Sequence, residues 1–146
     1  PTVSIRPFNV YGPLQIGEGA VHNFAKAALL GDPLIVHNNG GQIRSWCYID
    51  DFVEGVIAAM SRPEAVGHAF NLGNPRATVT NLHLAQLIVQ AANSSSEMDF
   101  RKIAYPEITL RVPNIDKAER LLGFKPKVGV EEGVQRTVDW MQTLTQ

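Results

Sequence analysis

Short β-forming runs that alternate with longer amphipathic stretches predict an α/β or α+β domain. Two further observations support a single globular unit. The chain has 146 residues, enough to bury a sizeable core. Apolar residues at 45% and charged residues at 18% exclude a disordered or fibrous chain.

Thr2-Val3-Ser4-Ile5 alternates β-formers and predicts a strand ending at Arg6-Pro7. The sequence thus opens on a strand with no polar lead-in, which is unusual for a complete domain. Pro7, Gly12, Pro13, Gly17 and Gly19 punctuate a long loop. A helix is expected over 20–30, with Val21, Phe24, Ala25 and Ala28 on one face and Gly31-Asp32-Pro33 as its stop. Leu34 to His37 is a short strand, and Asn38-Asn39-Gly40-Gly41 is a turn of residues that tolerate positive φ.

Ser45 to Tyr48 reads as one further extended piece. Over 51–60, Phe52, Val53, Val56, Ile57 and Met60 repeat at helical spacing, with Asp50 placed to cap. His68 to Leu72 is a strand closed by Gly73-Asn74-Pro75. Thr80 caps a helix to Ala92 whose inward stripe is Leu84, Leu87, Ile88 and Ala91. Met98 to Ala104 is expected as a strand, and 116–122 as a short helix with Gly123 at its C-cap. Val130 to Leu144 is a final helix, with Val134, Val138 and Met141 inward and Glu131 and Glu132 at its positive end.

Thirteen basic and fourteen acidic residues give a net charge of -1, so neither nucleic acid nor an anionic membrane is expected as a partner. The charge is unevenly placed. Residues 101–127 carry seven Lys or Arg against three acids, a local positive field suited either to a small anion or to a solvated face. Cys47 is the single cysteine, which excludes an internal disulfide; its apolar setting suggests an inert buried thiol. No apolar stretch is long enough to span a bilayer and no signal-peptide pattern opens the sequence, so a cytoplasmic protein is expected.

Familiar catalytic signatures are missing. Tyr11, Tyr48 and Tyr105 are followed four residues on by Gln15, Phe52 and Thr109, so there is no Tyr-x-x-x-Lys. Gly17-Glu18-Gly19 begins a dinucleotide-like pattern, but His22 stands where a glycine is needed. The four histidines lie singly, without metal-ligand spacing, and no metal is expected. What remains is a set of anion-binding groups at element ends. Asn9 follows the first strand, the helix at 20–30 offers free N–H groups at its start, and Arg44 and Arg111 add two guanidiniums. Together they suit a diphosphate. Arg44 could equally tie its turn to Asp50 or Asp51.

Three blocks carry a family likeness: Arg6-Pro7-Phe8-Asn9-Val10-Tyr11-Gly12-Pro13, Gly40-x-Gln42-x-Arg44-Ser45-x-x-Tyr48-x-Asp50-Asp51 and Asn71-Leu72-Gly73-Asn74-Pro75. Arg111-x-Pro113-Asn114-Ile115-x-Lys117-Ala118, Leu122-Gly123-Phe124-x-Pro126 and Glu131-Glu132-Gly133-Val134 continue it. The sequence resembles the extended short-chain dehydrogenase/reductase family, the NAD-dependent nucleotide-sugar epimerases, dehydratases and decarboxylases. The resemblance covers the C-terminal, substrate-binding half of such enzymes. It implies an α/β fold: the C-terminal part of a Rossmann-type parallel sheet plus a small α/β substrate-binding lobe. Residues 1–146 would be one such portion, with the N-terminal NAD-binding Rossmann half, and its catalytic Ser/Thr, Tyr and Lys, outside this chain.

Carried over by position, the resemblance makes Asn9 and Arg44 ligands of a substrate diphosphate and Arg111 the second arginine at the nucleotide. Leu34, Val36 and His37 match the strand beside the nucleobase, and Val21, His22 and Asn23 the helix start near the sugar phosphates. Pro7, Phe8 and Val10 match positions flanking the nicotinamide of NAD. Asn114, matched to a ribose position, stands where the family has Asp, and Ala20 stands where the UDP-glucuronate decarboxylases have arginine.

The implied function is the substrate-binding portion of an NAD-dependent nucleotide-sugar epimerase/dehydratase that works through a 4-keto sugar. This chain alone is expected to be inactive. Its partners would be a nucleotide-diphosphate sugar and its own Rossmann half or a companion chain, and a homodimer is possible. The alternatives are a stand-alone nucleotide-sugar-binding or regulatory module without catalysis, and an interaction subunit that keeps only the fold.

Overall fold

The computed structural model describes residues 1–106 and 108–144. In chain order the elements are β1 (Ser4–Pro7), β2 (Val10–Tyr11), α1 (Ala20–Leu30), β3 (Leu34–His37), β4 (Ile43–Ser45) and β5 (Cys47–Tyr48). There follow α2 (Ile49–Ser61), β6 (Ala69–Leu72), β7 (Thr78–Thr80), α3 (Asn81–Ala91) and β8 (Met98–Arg101). The chain then forms β9 (Leu110–Arg111), α4 (Asp116–Leu122) and α5 (Val130–Thr143). Among the described residues three two-stranded parallel sheets form, β1 with β6, β2 with β5 and β3 with β8. Strand β4 lies between antiparallel β7 and parallel β9. Parallel neighbours require crossovers, and helices lie in them, so the choice falls on α/β. No helix among the described residues is long and apolar enough to cross a membrane.

Two hydrophobic clusters hold these layers. The larger joins α1, α3 and α5 over β3 through buried Phe24, Leu34, Leu84, Ile88, Val134 and Val138. The periodicity named most of these inward positions correctly. In α5 the turn-to-turn spacing also buries Gly133 and Thr137, and the Thr137 hydroxyl donates to Gly133 O at 2.7 Å. The smaller cluster packs α2 and α4 on β6 through Ala59, Phe70, Leu72, Ala118, Leu122 and Phe124. A buried carboxylate ties the two regions together. Asp51, 3% exposed, accepts from the backbone N–H groups of Lys127 at 2.9 Å and Val128 at 3.0 Å. Both oxygens are thereby satisfied, which is the condition for burying a charge at all.

Several expectations about the elements need correction. The single strand at 45–48 is two strands in different sheets. Trp46 N–H donates to Ala77 O, whereas Cys47 N–H donates to Asn9 O, so the chain changes partners at this residue. Asp50 does not cap α2, because the helix begins at Ile49 with Tyr48 as an uncapped N-cap. The fully buried positions of α2 are Asp51, Gly55 and Ala59; Phe52 and Val56 pack partly buried on the same cluster as expected, while Val53, Ile57 and Met60 are exposed. Small residues win the buried positions because the helix approaches closely: a Cβ on Gly55 would stand 2.9 Å from Leu72 Cδ1 and Phe124 Cδ2. Strands β2, β7 and β9, of two or three residues, were not anticipated, since runs that short show no period, and the strand expected over Met98 to Ala104 ends at Arg101.

Candidate functional site

The end of β1 turns sharply at Asn9, whose φ of 42° is the left-handed region that Asn tolerates better than most residues. Its side-chain Nδ2 donates to Ser45 O at 2.7 Å. This bond fixes the loop after β1 against β4, one residue beyond Arg44. Ser45 is itself fully buried, with its hydroxyl 2.7 Å from that of Thr78 on β7. Arg44 therefore projects from a strand held on both sides.

On one of those sides the register places Arg44 directly beside Arg111 of β9. Paired residues of neighbouring strands project to the same face of a sheet, so the two arginines share a face, although Arg111 itself lines neither of the cavities beside it. Like charges at directly paired positions are mutually destabilising. The Arg44 guanidinium is oriented by donating from Nη1 to Ile43 O at 2.9 Å.

Helix α1 opens on the same region. Its N-cap Gly19 has φ 145°, no side chain caps the first turn, and no acidic residue sits there. The uncapped N–H groups and the positive end of the helix dipole suit phosphate oxygens. Two adjoining cavities share Glu18, Gly19, Ala20 and Asn81. One, of about 360 Å³, includes Asn9, Val10, Val21, Arg44 and Trp46 in its wall. The other, of about 500 Å³, extends past Asn23, Phe24, Ile35 and His37.

Asn9, Val10, Val21 and Arg44 are thus brought together, with Arg111 at the paired strand position. Asn23 and His37 line the neighbouring cavity. His22 is half-buried, and its Nδ1 has no hydrogen-bond partner. Leu34 and Val36 are fully buried in the core, and strand alternation turns Ile35 and His37 to the cavity instead. Only the backbone of Leu34 and Val36 is available there. Asn114 lines neither cavity. Its Oδ1 accepts from Asp116 N–H at 3.0 Å and its Nδ2 donates to Asp116 Oδ2 at 3.1 Å, so it starts helix α4. Pro7 ends β1, and Phe8 is anchored by donating its N–H to Leu72 O at 3.0 Å.

Trp46, Asn81 and Gln15 line the smaller cavity and were not expected from sequence. Asn81 was legible, since Thr80 as a cap sets it at the head of α3; Thr80 Oγ1 indeed accepts from His83 N–H at 3.1 Å. Tyr11 closes the floor, edge-on to Trp46 at 6.2 Å and to Tyr48 at 5.8 Å. Burial first, then the Cys47, Tyr48, Glu131 and Asp51 charges, raise the Tyr11 hydroxyl well above the ordinary phenol range. The Cys47 thiol is pushed up to about 12 by burial and by the Asp51 carboxylate. Neither group is a nucleophile at neutral pH.

A family model, the NAD dependent epimerase/dehydratase family, matches residues 1–73. The chain belongs to that family. Among its relatives, UDP-glucuronic acid decarboxylase 1 of Xenopus tropicalis is 37% identical over 139 residues, covering 94% of this chain and 32% of the relative. UDP-glucuronic acid decarboxylase 4 of Arabidopsis thaliana is 40% identical over 131 residues, covering 88% of this chain and 29% of the relative. The solved UDP-glucuronic acid 4-epimerase of Bacillus cereus, in complex with UDP-glucuronic acid and NAD, superposes with a TM-score of 0.90 at 29% identity. That match covers 97% of this chain and 45% of the epimerase. The chain therefore spans about a third of these decarboxylases and less than half of the epimerase. The epimerase/dehydratase family is NAD-dependent, and the parallel α/β architecture found here is that of its solved members.

Proposed function

We propose that this chain is the substrate-binding portion of an NAD-dependent nucleotide-sugar epimerase/dehydratase. The observation that carries the reading is the register pairing of Arg44 with Arg111 beside Asn9 and the uncapped start of α1. Two guanidiniums on one sheet face and a helix N-terminus match the two charges of a diphosphate. The larger cavity, with Phe24, Ile35 and His37, takes the nucleobase end. The smaller takes the phosphates and the first atoms of the sugar.

NAD fits this chain only as a flank. Pro7, Phe8 and Val10 at the end of β1 offer an apolar wall for a nicotinamide, but Gly17-Glu18-Gly19 lies in a loop and lacks the third glycine of a dinucleotide-binding turn. Hydride transfer, through a transient 4-keto sugar, belongs to a Rossmann portion of the same protein or to a companion chain. Two features support such a portion. Among the described residues β1 pairs with β6 alone, and Val53, Ile57 and Met60 expose an apolar face on α2. Ala20 lines both cavities, and Arg44 is the one Lys or Arg among the residues that wall them, beside the carboxylate of Glu18. With Arg44 and Arg111 both engaged by the diphosphate, a uronate carboxylate would have no cation of its own among these wall residues, so a neutral sugar is favoured over the glucuronate of the decarboxylase relatives.

Calorimetric titration of the chain with UDP-glucose tests the reading. Binding that Arg44→Ala reduces at least about 10-fold supports it. Absence of binding, or binding indifferent to Arg44 and Arg111, refutes it.

A further inference from the structure

Trp46 is 6% exposed, and its indole nitrogen is buried with no hydrogen-bond partner among the described residues. Indole is a donor only, and a buried tryptophan ordinarily finds an acceptor, so an orphaned N–H needs an explanation. Packing does not supply one. The ring fills space edge-on to Tyr11 at 6.2 Å, and a phenyl ring would stack there without bringing a polar atom. Trp46 also lies in the wall of the cavity of about 360 Å³ that includes Asn9 and Arg44. Gln15 and Asn81 line the same cavity, and each has a buried side-chain oxygen without a partner.

We propose that the Trp46 indole N–H is a ligand-reading donor, forming a hydrogen bond to an oxygen of the phosphorylated sugar held at Arg44. The inference rests on the nucleotide-sugar reading above and adds a residue and a recognition chemistry to it. One orphan donor calls for a ligand oxygen, and two orphan acceptors, Gln15 Oε1 and Asn81 Oδ1, call for ligand hydroxyls. A phosphorylated sugar carries both kinds of group; an apolar ligand carries neither. Because the nitrogen is buried, the cavity wall shifts when ligand enters. Gln15 sits on a segment turned by Gly17 and Gly19, at φ 83° and 145°, whose backbone has that freedom.

The chain has two tryptophans, so its ¹H–¹⁵N spectrum contains two indole signals, assigned with Trp140→Phe. On titration with UDP-glucose the Trp46 indole proton should move downfield, as a newly hydrogen-bonded proton does. Trp46→Phe should weaken UDP-glucose about 10-fold while leaving the melting temperature close to that of the parent chain. A shift already present with UDP alone assigns the acceptor to a phosphoryl oxygen, and one seen only with UDP-glucose assigns it to the sugar; both support the proposal. An unmoved Trp46 signal in a chain that binds UDP-glucose, or unchanged affinity in Trp46→Phe, overturns it and leaves the nucleotide-sugar reading standing. A chain that does not bind UDP-glucose overturns both.

Discussion

Gly133→Ala sets local propensity against tertiary packing. Gly133 lies inside α5, where alanine is favoured over glycine by about 1 kcal/mol, so a sequence-only view predicts stabilisation. The structure reverses the sign. A Cβ at Gly133 would overlap Tyr11 Oη and stand 2.9 Å from Tyr11 Cζ and 3.1 Å from Tyr48 Cδ2. Tyr11 is 2% exposed and wedged edge-on between Trp46 and Tyr48, so it has nowhere to retreat. Overpacking of this kind costs about 1–3 kcal/mol, and the close backbone approach puts the expected net loss at about 2 kcal/mol. Urea denaturation measures it, as a fall in midpoint at constant slope. Tyr11→Phe removes the colliding oxygen at the expense of a long 3.4 Å bond to Val130 O. The double variant Tyr11→Phe/Gly133→Ala should therefore be more stable than Gly133→Ala alone. A neutral or stabilising Gly133→Ala, or additive effects in the double variant, would refute the packing account.

Asp51→Asn keeps the shape but leaves Lys127 N–H or Val128 N–H facing an amide NH₂, and should destabilise by about 2 kcal/mol in the same urea assay. Cys47 should resist iodoacetamide in the native chain across pH 7–9 and react at the ordinary thiol rate once unfolded. Its thiolate appears only as pH rises toward about 12, and native labelling at the unfolded rate would contradict this. Arg111→Ala should weaken UDP by about 10-fold, with a shallower salt dependence than the parent chain; an unchanged salt slope would remove Arg111 from the site. Ile57→Glu, on the exposed face of α2, should leave the melting temperature of the chain within about 2 °C. The same change should weaken assembly with a Rossmann portion, and undiminished assembly would place the docking face elsewhere.

Much of the helical part was legible. The 20–30 and C-terminal helices were readable because their apolar residues repeat at 3–4 spacing, and the 20–30 and 116–122 helices stop at glycines, Gly31 at φ 74° and Gly123 at φ 64°. For α2 the same rule held for Phe52 and Val56 and failed for Val53, Ile57 and Met60. Its large apolar residues outvoted Gly55 and Ala59 in the pattern, yet close packing on Leu72 and Phe124 selected the small ones. Alternation along β3 contained the right answer for the cavity, with Leu34 and Val36 inward and Ile35 and His37 outward, but the family likeness grouped all three named positions together.

By itself the sequence determined the alternation of strands and helices, the caps at Thr80, Gly31 and Gly123, and the presence of Asn9, Arg44 and Arg111 at element ends. These are local properties: periodicity, backbone freedom and charge are written into neighbouring residues. Only the tertiary structure decided that Arg44 and Arg111 are paired on adjacent strands, 67 positions apart in register, and that Asn9 is pinned to Ser45. It alone decided that the chain changes sheets at Trp46 and leaves that indole N–H without a partner beside the cavity. Pairing of short strands is fixed by which core the flanking helices build, and two- or three-residue strands carry too little pattern of their own to announce it.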